Sequence, residues 1–381
     1  MPRTIIALIP SGEVHQHDRV RMVNGDDPAK DVWHQYNAGD MFVYEASLRL
    51  LDFDRLITIP TNATLTDAQI DQLNEEASFA FLRGSNYVHG QMQWGNLPTI
   101  LEKLKVPVVA FGIGAQAPKQ KQVDVSDDTI KILKIISERS ECLGVRGEFT
   151  ANVLHGFGIY NVKVIGCPSL FRFNRPRLHI RVPELDDVKR VGFTLTRGLA
   201  GMYCEDLGRA RQLQLDLIRA YAERFDLVLM SQGELPEKAY FYKDEARIPD
   251  AYNRLVADKW FEGPDDPMVQ IYRQKLFFGQ SPAAYDDMVR TLDIVVGLRL
   301  HGNIIALSNS VPAVYITYDT RTRELVDYLG IPAYDIMANT PFHLEDCLTQ
   351  ERFDQFADRY AAAYQRMKDF LVENGVANRM H

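Results

Sequence analysis

The sequence has few cysteines and no excess of positive charge. Its four cysteines are scattered over 381 residues without a CxxC pair, which argues against a disulfide scaffold and favours reduced thiols. Lys and Arg number 43 against 51 Asp and Glu, so the net charge is −8. That balance argues against a general nucleic-acid-binding surface. An anionic small molecule would therefore need a local cluster of cations.

Long apolar segments are also missing. The charge-free stretch Leu300–Tyr318 contains Pro312 and several asparagine, serine and threonine residues, so it does not have the composition of a membrane span. The apolar run Ile5–Pro10 is too short for the core of a signal peptide. We therefore expect a cytoplasmic protein. The sequence contains no P-loop, GxSxG, HExxH or EF-hand motif.

Short apolar runs alternate with helical patterns along most of the chain. Several runs lack the polar–apolar alternation of a half-solvated strand, which indicates parallel strands covered on both faces. The candidate strands are Thr4–Ile9, Arg55–Ile59, Val106–Ile113, Val162–Ile165, Val191–Leu195, Leu227–Met230, Ile294–Val296 and Ala313–Thr317. The candidate helices between them are Met41–Leu51, Asp127–Glu138, Ala210–Phe225 and Thr322–Tyr328. This alternation predicts an α/β protein with a parallel sheet in each half.

The chain length suits two domains, and residues 174–190 are interpreted as their linker. This stretch has two prolines and five Arg or Lys without periodicity, although an irregular edge segment fits nearly as well. We expect an N-terminal domain at 1–185, a C-terminal domain at 186–350 and a C-terminal helix at 351–381. The aromatic stripe of that helix indicates core packing. Residues 236–282 are interpreted as a helical elaboration, with an acceptor-binding lid as the alternative.

The strongest local motif runs from Gly297 to Asn303, directly after an apolar strand and before a short helix. Ligands bind at such carboxyl ends of parallel strands, and a helix N-terminus offers free N–H groups to an anion. Arg299 would present a planar cation to a phosphate or carboxylate, and His301 can exchange a proton near neutral pH. A buried structural Arg–His pair is the alternative.

Other candidate site residues follow strand ends or begin helices. Arg321 follows the strand Ala313–Ile316, as either a second anion ligand or a solvated residue. Residues 143–148 are predicted to join two helical segments. Arg146 lies there between two glycines, either in an interdomain crevice or, by default, in a surface turn. Gly114 allows the backbone to approach a ligand closely. Residues 37–40 form either a helix cap or a ligand-binding loop.

The order of these motifs resembles the polysaccharide pyruvyl transferase family. NxGD at 37–40, GxG at 112–114 and VRGE at 145–148 precede GLRLHG at 297–302 and YDTR at 318–321. The last two are similar to the family's R-L-H and Y-D-P-K region and are the specific part. The resemblance spans most of the chain. It implies two Rossmann-like domains arranged as in the GT-B glycosyltransferases, with the active site in the cleft between them. The N-terminal domain is expected on the acceptor side, and the C-terminal domain is expected to carry the donor-binding motif.

The resemblance also implies a transferase of surface-polysaccharide and exopolysaccharide biosynthesis. Such an enzyme moves the pyruvyl group of phosphoenolpyruvate onto a saccharide, forming a pyruvate ketal and releasing phosphate. Phosphoenolpyruvate is a substrate, and no cofactor or metal is implied. The residues carried over as binding the substrate are Asn37, Gly114, Arg146, Arg299, Gly302 and Arg321. His301 is carried over as the acid/base or phosphate-contacting residue, and Asp40 as an acceptor-side or proton-transfer group.

The acceptor is implied to be a saccharide or lipid-linked oligosaccharide, with no nucleic-acid partner. The sugar, its hydroxyls, the ketal stereochemistry, peripheral membrane association through the acceptor and homo-oligomerisation stay open. The chain departs from the family at Met41, at Arg83–Ser85 and at Cys167, where an aspartate is usual before proline. Two alternatives are kept: a nucleotide-sugar-dependent GT-B glycosyltransferase, and a non-catalytic saccharide-binding protein.

Overall fold

Two parallel β-sheets organise the chain. The structure, a computed structural model, describes residues 3–9, 14–16, 19–21, 33, 37–118, 123–199, 201 and 203–381. The strands are β1 Thr4–Leu8, β2 Val14–Gln16, β3 Arg19–Arg21, β4 Arg55–Ile59, β5 Ala77–Leu82, β6 Val108–Ala110, β7 Leu143–Val145, β8 Val162–Val164, β9 Arg190–Thr194, β10 Asp226–Met230, β11 Leu276–Phe277, β12 Ile294–Gly297, β13 Ala313–Thr317 and β14 Ala333–Asp335.

Helices cover the sheets. They are α1 Ala38–Leu50, α2 Asp67–Glu76, α3 Leu97–Lys103, α4 Asp127–Glu138, α5 Glu148–Gly156, α6 Leu207–Arg224, α7 Leu235–Phe241, α8 Ile248–Ala257, α9 Pro267–Lys275, α10 Pro282–Val289, α11 Leu300–Ser308, α12 Thr320–Leu329, α13 Leu344–Cys347 and α14 Gln350–Glu373. Short 3-10 turns occupy Pro168–Phe171 and Leu185–Asp187. Helices α7 to α9 fill most of the stretch 236–282, as the helical interpretation expected.

The first sheet has the order β4-β1-β5-β6, and all its pairs are parallel. A parallel bridge between Ile113 and Val145 links the end of β6 to the parallel pair β7–β8. The second sheet has the order β11-β10-β9-β12-β13-β14, again fully parallel. Every residue of β1, β12 and β13 is buried, which explains why their sequences do not alternate.

Helix α1 ties the first sheet to the second half of the chain. Arg172, which is fully buried, pairs with Glu45 of α1 and with Asp286 of α10. Phe42 of α1 packs edge-on against Tyr285, with ring centroids 5.0 Å apart. The amino end of α1 is therefore held against the second half of the chain, close to the end of β12.

The long C-terminal helix returns to the first sheet. Tyr360 and Phe370 of α14 pack against Phe171 and Phe111, with centroids 5.4 and 6.3 Å apart. The predicted aromatic stripe is buried, as expected of core residues. The division of the chain at residues 185 and 350 stays a prediction.

Some elements differ from the sequence prediction. Residues 143–148, predicted to join two helical segments, contain strand β7 because three buried apolar positions pair with β8. Helix α1 begins at Ala38 rather than Met41, since Asn37 supplies the cap by accepting a hydrogen bond from the Gly39 N–H. Strands β11 and β14 were not predicted, because they have only two and three residues.

Candidate functional site

The turn between β12 and α11 positions Arg299 and His301. Gly297 has φ +145°, and a Cβ atom there would meet Thr194 of β9, so glycine is needed for this close approach. Asn303 donates to the Gly297 carbonyl at 2.8 Å and accepts from the Thr194 hydroxyl at 3.1 Å. These bonds fix the first turn of α11, with Arg299 as its N-cap residue.

His301 lies at the junction of three segments. Its Nε2 is 3.8 Å from the thiol of Cys167, and a Cβ atom at Gly39 of α1 would overlap its Nδ1. The side chain is buried, with 7% of the residue exposed. Burial, together with the positive charges of nearby arginines, holds the pKa of His301 well below 6.5. The imidazole is therefore neutral at neutral pH.

Four arginines from different segments surround this imidazole. Their charges act on His301 in the order Arg146, Arg321, Arg83 and Arg299. Arg83 and Arg146 follow strands β5 and β7 in the first half of the chain. Arg299 and Arg321 follow strands β12 and β13 of the second sheet. We call these four side chains and His301 the arginine cluster. In a protein of net charge −8, such a concentration of cations favours a ligand with several negative charges.

Arg146 is the arginine of the cluster with the most unsatisfied hydrogen-bonding capacity. It is completely buried, which corrects the expectation of a surface turn. Its Nη1 donates to Asn86 at 2.6 Å, whereas Nε and Nη2 have no hydrogen-bond partner among the described residues. A buried guanidinium rarely leaves two donor nitrogens unused, so these atoms point to an anionic ligand.

Arg299, in contrast, is already engaged by protein groups. It forms an ion pair with Glu234, and its Nε donates to the Leu195 carbonyl at 3.1 Å. The structural interpretation of this side chain is thus partly correct. Arg299 adds positive charge to the site, but it offers fewer free donors than Arg146.

Arg321 is held in place by the beginning of α12. Asp319 caps this helix and lies 3.3 Å from the Arg321 Nη2, while the Tyr318 hydroxyl accepts from the same nitrogen. The Nε of Arg321 has no partner within the described part of the chain. Gln116 donates to Asp319 at 3.1 Å, so the segment after Gly114 contacts the same helix end.

Asp40 lies in the first turn of α1 rather than capping it. It pairs with Arg83 at 2.9 Å and accepts a hydrogen bond from Ser85 at 3.0 Å. Its carboxylate is 28% exposed, so it remains accessible while it balances the charge of Arg83. Asn37 is occupied as the cap of α1, which leaves its amide nitrogen as the free group.

The two predicted glycines have different surroundings. A Cβ atom at Gly114 would lie 2.9 Å from Asn86 and 3.2 Å from Arg146, so this glycine gives Arg146 its space. A Cβ atom at Gly302 would lie 2.7 Å from Thr194, which indicates close packing of α11 on β9. The structure thus brings Gly114 to the arginine cluster, whereas Gly302 packs against a strand.

Sequence reasoning missed three charged residues here. Arg83 was noted only as part of a segment where the chain departs from the family, yet it is buried and paired with Asp40. Glu234 pairs with Arg299 but follows a different strand. Glu324 is buried against Thr150, from whose N–H and hydroxyl it accepts bonds, and burial raises its pKa to about 7. No local motif marks these contacts, because their partners lie far apart in sequence.

Comparisons with solved structures define the class of fold. Trehalose-6-phosphate synthase OtsA matches with a TM-score of 0.50 and 7% identity, over 99% of this chain and 100% of that one. UDP-GlcNAc 2-epimerases match as well: the Neisseria meningitidis enzyme with a TM-score of 0.47 and 11% identity over 97% and 100% of the chains, and the Methanocaldococcus jannaschii enzyme with 0.45 and 11% over 98% and 99%. The fold is GT-B-like, with two Rossmann-like parallel sheets, as predicted.

The family follows from the sequence itself. The family model for polysaccharide pyruvyl transferase matches residues 37–320, which is most of the chain. The chain belongs to this family, a family of transferases. A search of curated proteins found no match to the chain.

None of the helices within the described ranges is both long and apolar enough to cross a bilayer. The same residues contain no group of three or more His, Cys, Asp or Glu placed to bind a metal ion.

Proposed function

We propose that this protein transfers the pyruvyl group of phosphoenolpyruvate to a saccharide, forming a pyruvate ketal in surface-polysaccharide biosynthesis. The observation that carries the proposal is the fully buried Arg146 in the arginine cluster, with two donor nitrogens that have no hydrogen-bond partner among the described residues. Phosphoenolpyruvate carries a carboxylate and a phosphate on one small frame. Several arginines can bind both groups at once through charge-assisted hydrogen bonds.

The proposed reaction balances without an oxidant or a reductant. A proton adds to the methylene carbon of phosphoenolpyruvate, which becomes a methyl group, and C2 becomes electrophilic. One hydroxyl of the saccharide forms a bond to C2, and a second hydroxyl forms the other bond as the C2–O bond to phosphate breaks. Of the two hydroxyl protons, one replaces the proton taken up at carbon and the other leaves with inorganic phosphate.

His301 is the proposed proton-transfer group. In the free protein, burial and the four arginines keep it neutral. A bound donor with several negative charges would offset those cations and raise the pKa of His301, so that it could hold the proton that passes to carbon. Asp40, which is paired with Arg83 and partly exposed, is proposed to accept a hydroxyl proton from the saccharide.

The proposal is tested by supplying phosphoenolpyruvate with a panel of saccharides. We expect release of inorganic phosphate that depends on the saccharide, and a product whose mass exceeds that of the saccharide by one pyruvate less one water. His301→Gln should lower turnover about 100-fold with little change in donor affinity. Arg139→Gln is the control, because Arg139 donates to the Leu101 and Leu104 carbonyls outside the cluster.

Two results would contradict the proposal. Phosphate release without any change in the saccharide would show hydrolysis rather than transfer. Transfer of a sugar from a nucleotide sugar, with no use of phosphoenolpyruvate, would instead support the glycosyltransferase alternative.

A further inference from the structure

A large cavity opens next to the arginine cluster. It has a volume of about 940 Å³ and lies at the carboxyl ends of β9 and β10, where Thr196 and Glu234 form part of its wall. Helices α7 and α8 and the residues after them form the other side. Phosphoenolpyruvate is far smaller than this volume, which suits a drug-sized or saccharide-sized ligand. We call this cavity the cationic cleft.

Five cations line the cationic cleft against three acidic residues. The cations are Arg197, Arg211, Arg247, Arg254 and Lys259, and the acids are Glu234, Asp250 and Asp258. Two of the three acids are neutralised by neighbours. Asp258 pairs with Arg197 at 2.5 Å and with Arg254 at 3.0 Å, and Glu234 pairs with Arg299. Among the cations, Arg197 and Arg247 are themselves paired with Glu237 and Asp244 outside the lining. The excess of cations in the lining therefore depends on those without such partners.

Two of these cations are not held by acidic side chains. Among the described residues, Arg211 of α6 makes only one long hydrogen bond, 3.5 Å to the Asp258 carbonyl. Lys259, just after α8, is exposed and forms no ion pair with any described residue. Since both side chains line the same cavity, they form a pair of cations available to an anionic group of a ligand.

The cationic cleft adjoins the proposed donor site. Arg299 pairs with Glu234, which lines the cleft, and also bonds to Leu195, the residue before Thr196 in the cleft wall. In the second sheet, β9 lies between β10 and β12, so the cleft and the Arg299 turn lie on either side of the same strand end. A ligand in the cleft would therefore lie next to a donor bound by the arginine cluster.

We propose that the cationic cleft binds the saccharide acceptor and that this acceptor carries an anionic group, a phosphate or a carboxylate, bound by Arg211 and Lys259. The inference rests on the proposed pyruvyl transfer and specifies the class of its acceptor. The segment 236–282 supplies much of the cleft, so its elaboration of the fold has a role in binding the acceptor.

The test is calorimetric titration of the full chain with glucose 1-phosphate, glucuronate, glucose, UDP and phosphoenolpyruvate. The variant combines Arg211→Gln with Lys259→Asn. Lys259 has φ +59°, and asparagine tolerates that left-handed backbone better than most residues. Lys243→Asn is the matched control, because Lys243 is also exposed, has φ +53° and does not line the cleft.

We expect glucose 1-phosphate or glucuronate to bind more tightly than glucose, and the double variant to weaken that binding about tenfold. The two sugar anions distinguish a phosphate-bearing from a carboxylate-bearing acceptor. Lys243→Asn should bind them as the wild type does, and all three proteins should bind phosphoenolpyruvate equally.

Several results would overturn the inference. They are equal binding of the sugar anions by wild type and double variant, no preference over glucose, no binding of either anion, and binding of UDP alone. A loss of phosphoenolpyruvate affinity in the double variant would assign the cleft to the donor instead. Failure of the wild type to bind phosphoenolpyruvate would count against the proposed function, and is read separately from the sugar titrations.

Discussion

At the scale of single residues, hydrogen-bonding partners distinguish arginines that the sequence makes equivalent. Arg299 stands in the strongest motif, but Glu234 and Leu195 occupy its guanidinium. Arg146 stands in a weaker motif, yet it is buried, and its Nε and Nη2 have no hydrogen-bond partner among the described residues. An anion gains most from donors that are desolvated and unpaired before it binds. We therefore expect Arg146 to contribute more to donor affinity than Arg299.

Gly39 gives a direct test of how His301 is positioned. A Cβ atom there would overlap Nδ1 of the imidazole, so Gly39→Ala should displace the ring and lower turnover at least about tenfold. Gly156→Ala is the control, because Gly156 ends α5 with nothing near its Cβ position. Steady-state kinetics distinguish the two variants. Wild-type turnover in Gly39→Ala would show that the ring position is not critical.

The low pKa of His301 has a consequence for stability. The imidazole is neutral in the folded state and protonated below about pH 6.5 in the unfolded state, so its contribution to folding is lost as the pH falls below about 6.5. The free energy of unfolding of the wild type should therefore fall, relative to that of His301→Gln, as the pH is lowered from 8 to 5. Urea unfolding at each pH measures it. A difference that does not change with pH would contradict a neutral buried imidazole.

Glu324 should show the opposite dependence. Its pKa of about 7 lies above the ordinary 4.5, so the folded state holds a proton that the unfolded state has released. The wild type should therefore lose up to about 3 kcal/mol of stability from this group as the pH rises from 4.5 through 7. In Glu324→Gln that loss should be absent, which the same unfolding series would detect. Parallel pH profiles of the two proteins would exclude the raised pKa.

At the scale of secondary-structure elements, buried ion pairs attach α1 to the second half. Arg172→Ala would leave Asp286 buried without a cation and Glu45 with only its helical neighbour Arg49, and should cost about 3–5 kcal/mol in unfolding free energy. Arg3→Ala, which breaks the exposed pair with Asp52, should cost less than about 1 kcal/mol. Equal losses in the two variants would show that the Arg172 pairs do not hold α1.

The sequence predicted elements best where burial alone decides them. Strands β9, β12 and β13 were predicted within one or two residues, because parallel strands covered on both faces read as continuous apolar runs. Strand β7 was taken for a connection between helices, since three residues are too few to show a period. Most residues of the arginine cluster, such as Arg146 and His301, could be named in advance, and their roles stay predictions. Their pairing could not be predicted, since Glu234, Glu324 and Arg83 contact partners on other elements.

At the scale of the whole molecule, the site combines both parts of the chain. Arg83, Arg146 and Gly39 come from the first part, and His301, Arg299 and Arg321 come from the second. Contacts such as Gln116 to Asp319 and Thr150 to Glu324 hold these segments together. A two-sheet fold of this kind places strand ends opposite each other, and ligands bind where those ends meet.

The central claim is that the arginine cluster binds phosphoenolpyruvate, and calorimetric titration of the wild type, Arg146→Gln and Arg139→Gln tests it most directly. We predict saturable binding that Arg146→Gln weakens about 10- to 100-fold, through the loss of charge-assisted hydrogen bonds, and that Arg139→Gln leaves unchanged. Wild-type affinity in Arg146→Gln, or no binding of phosphoenolpyruvate with or without saccharide present, would contradict the account.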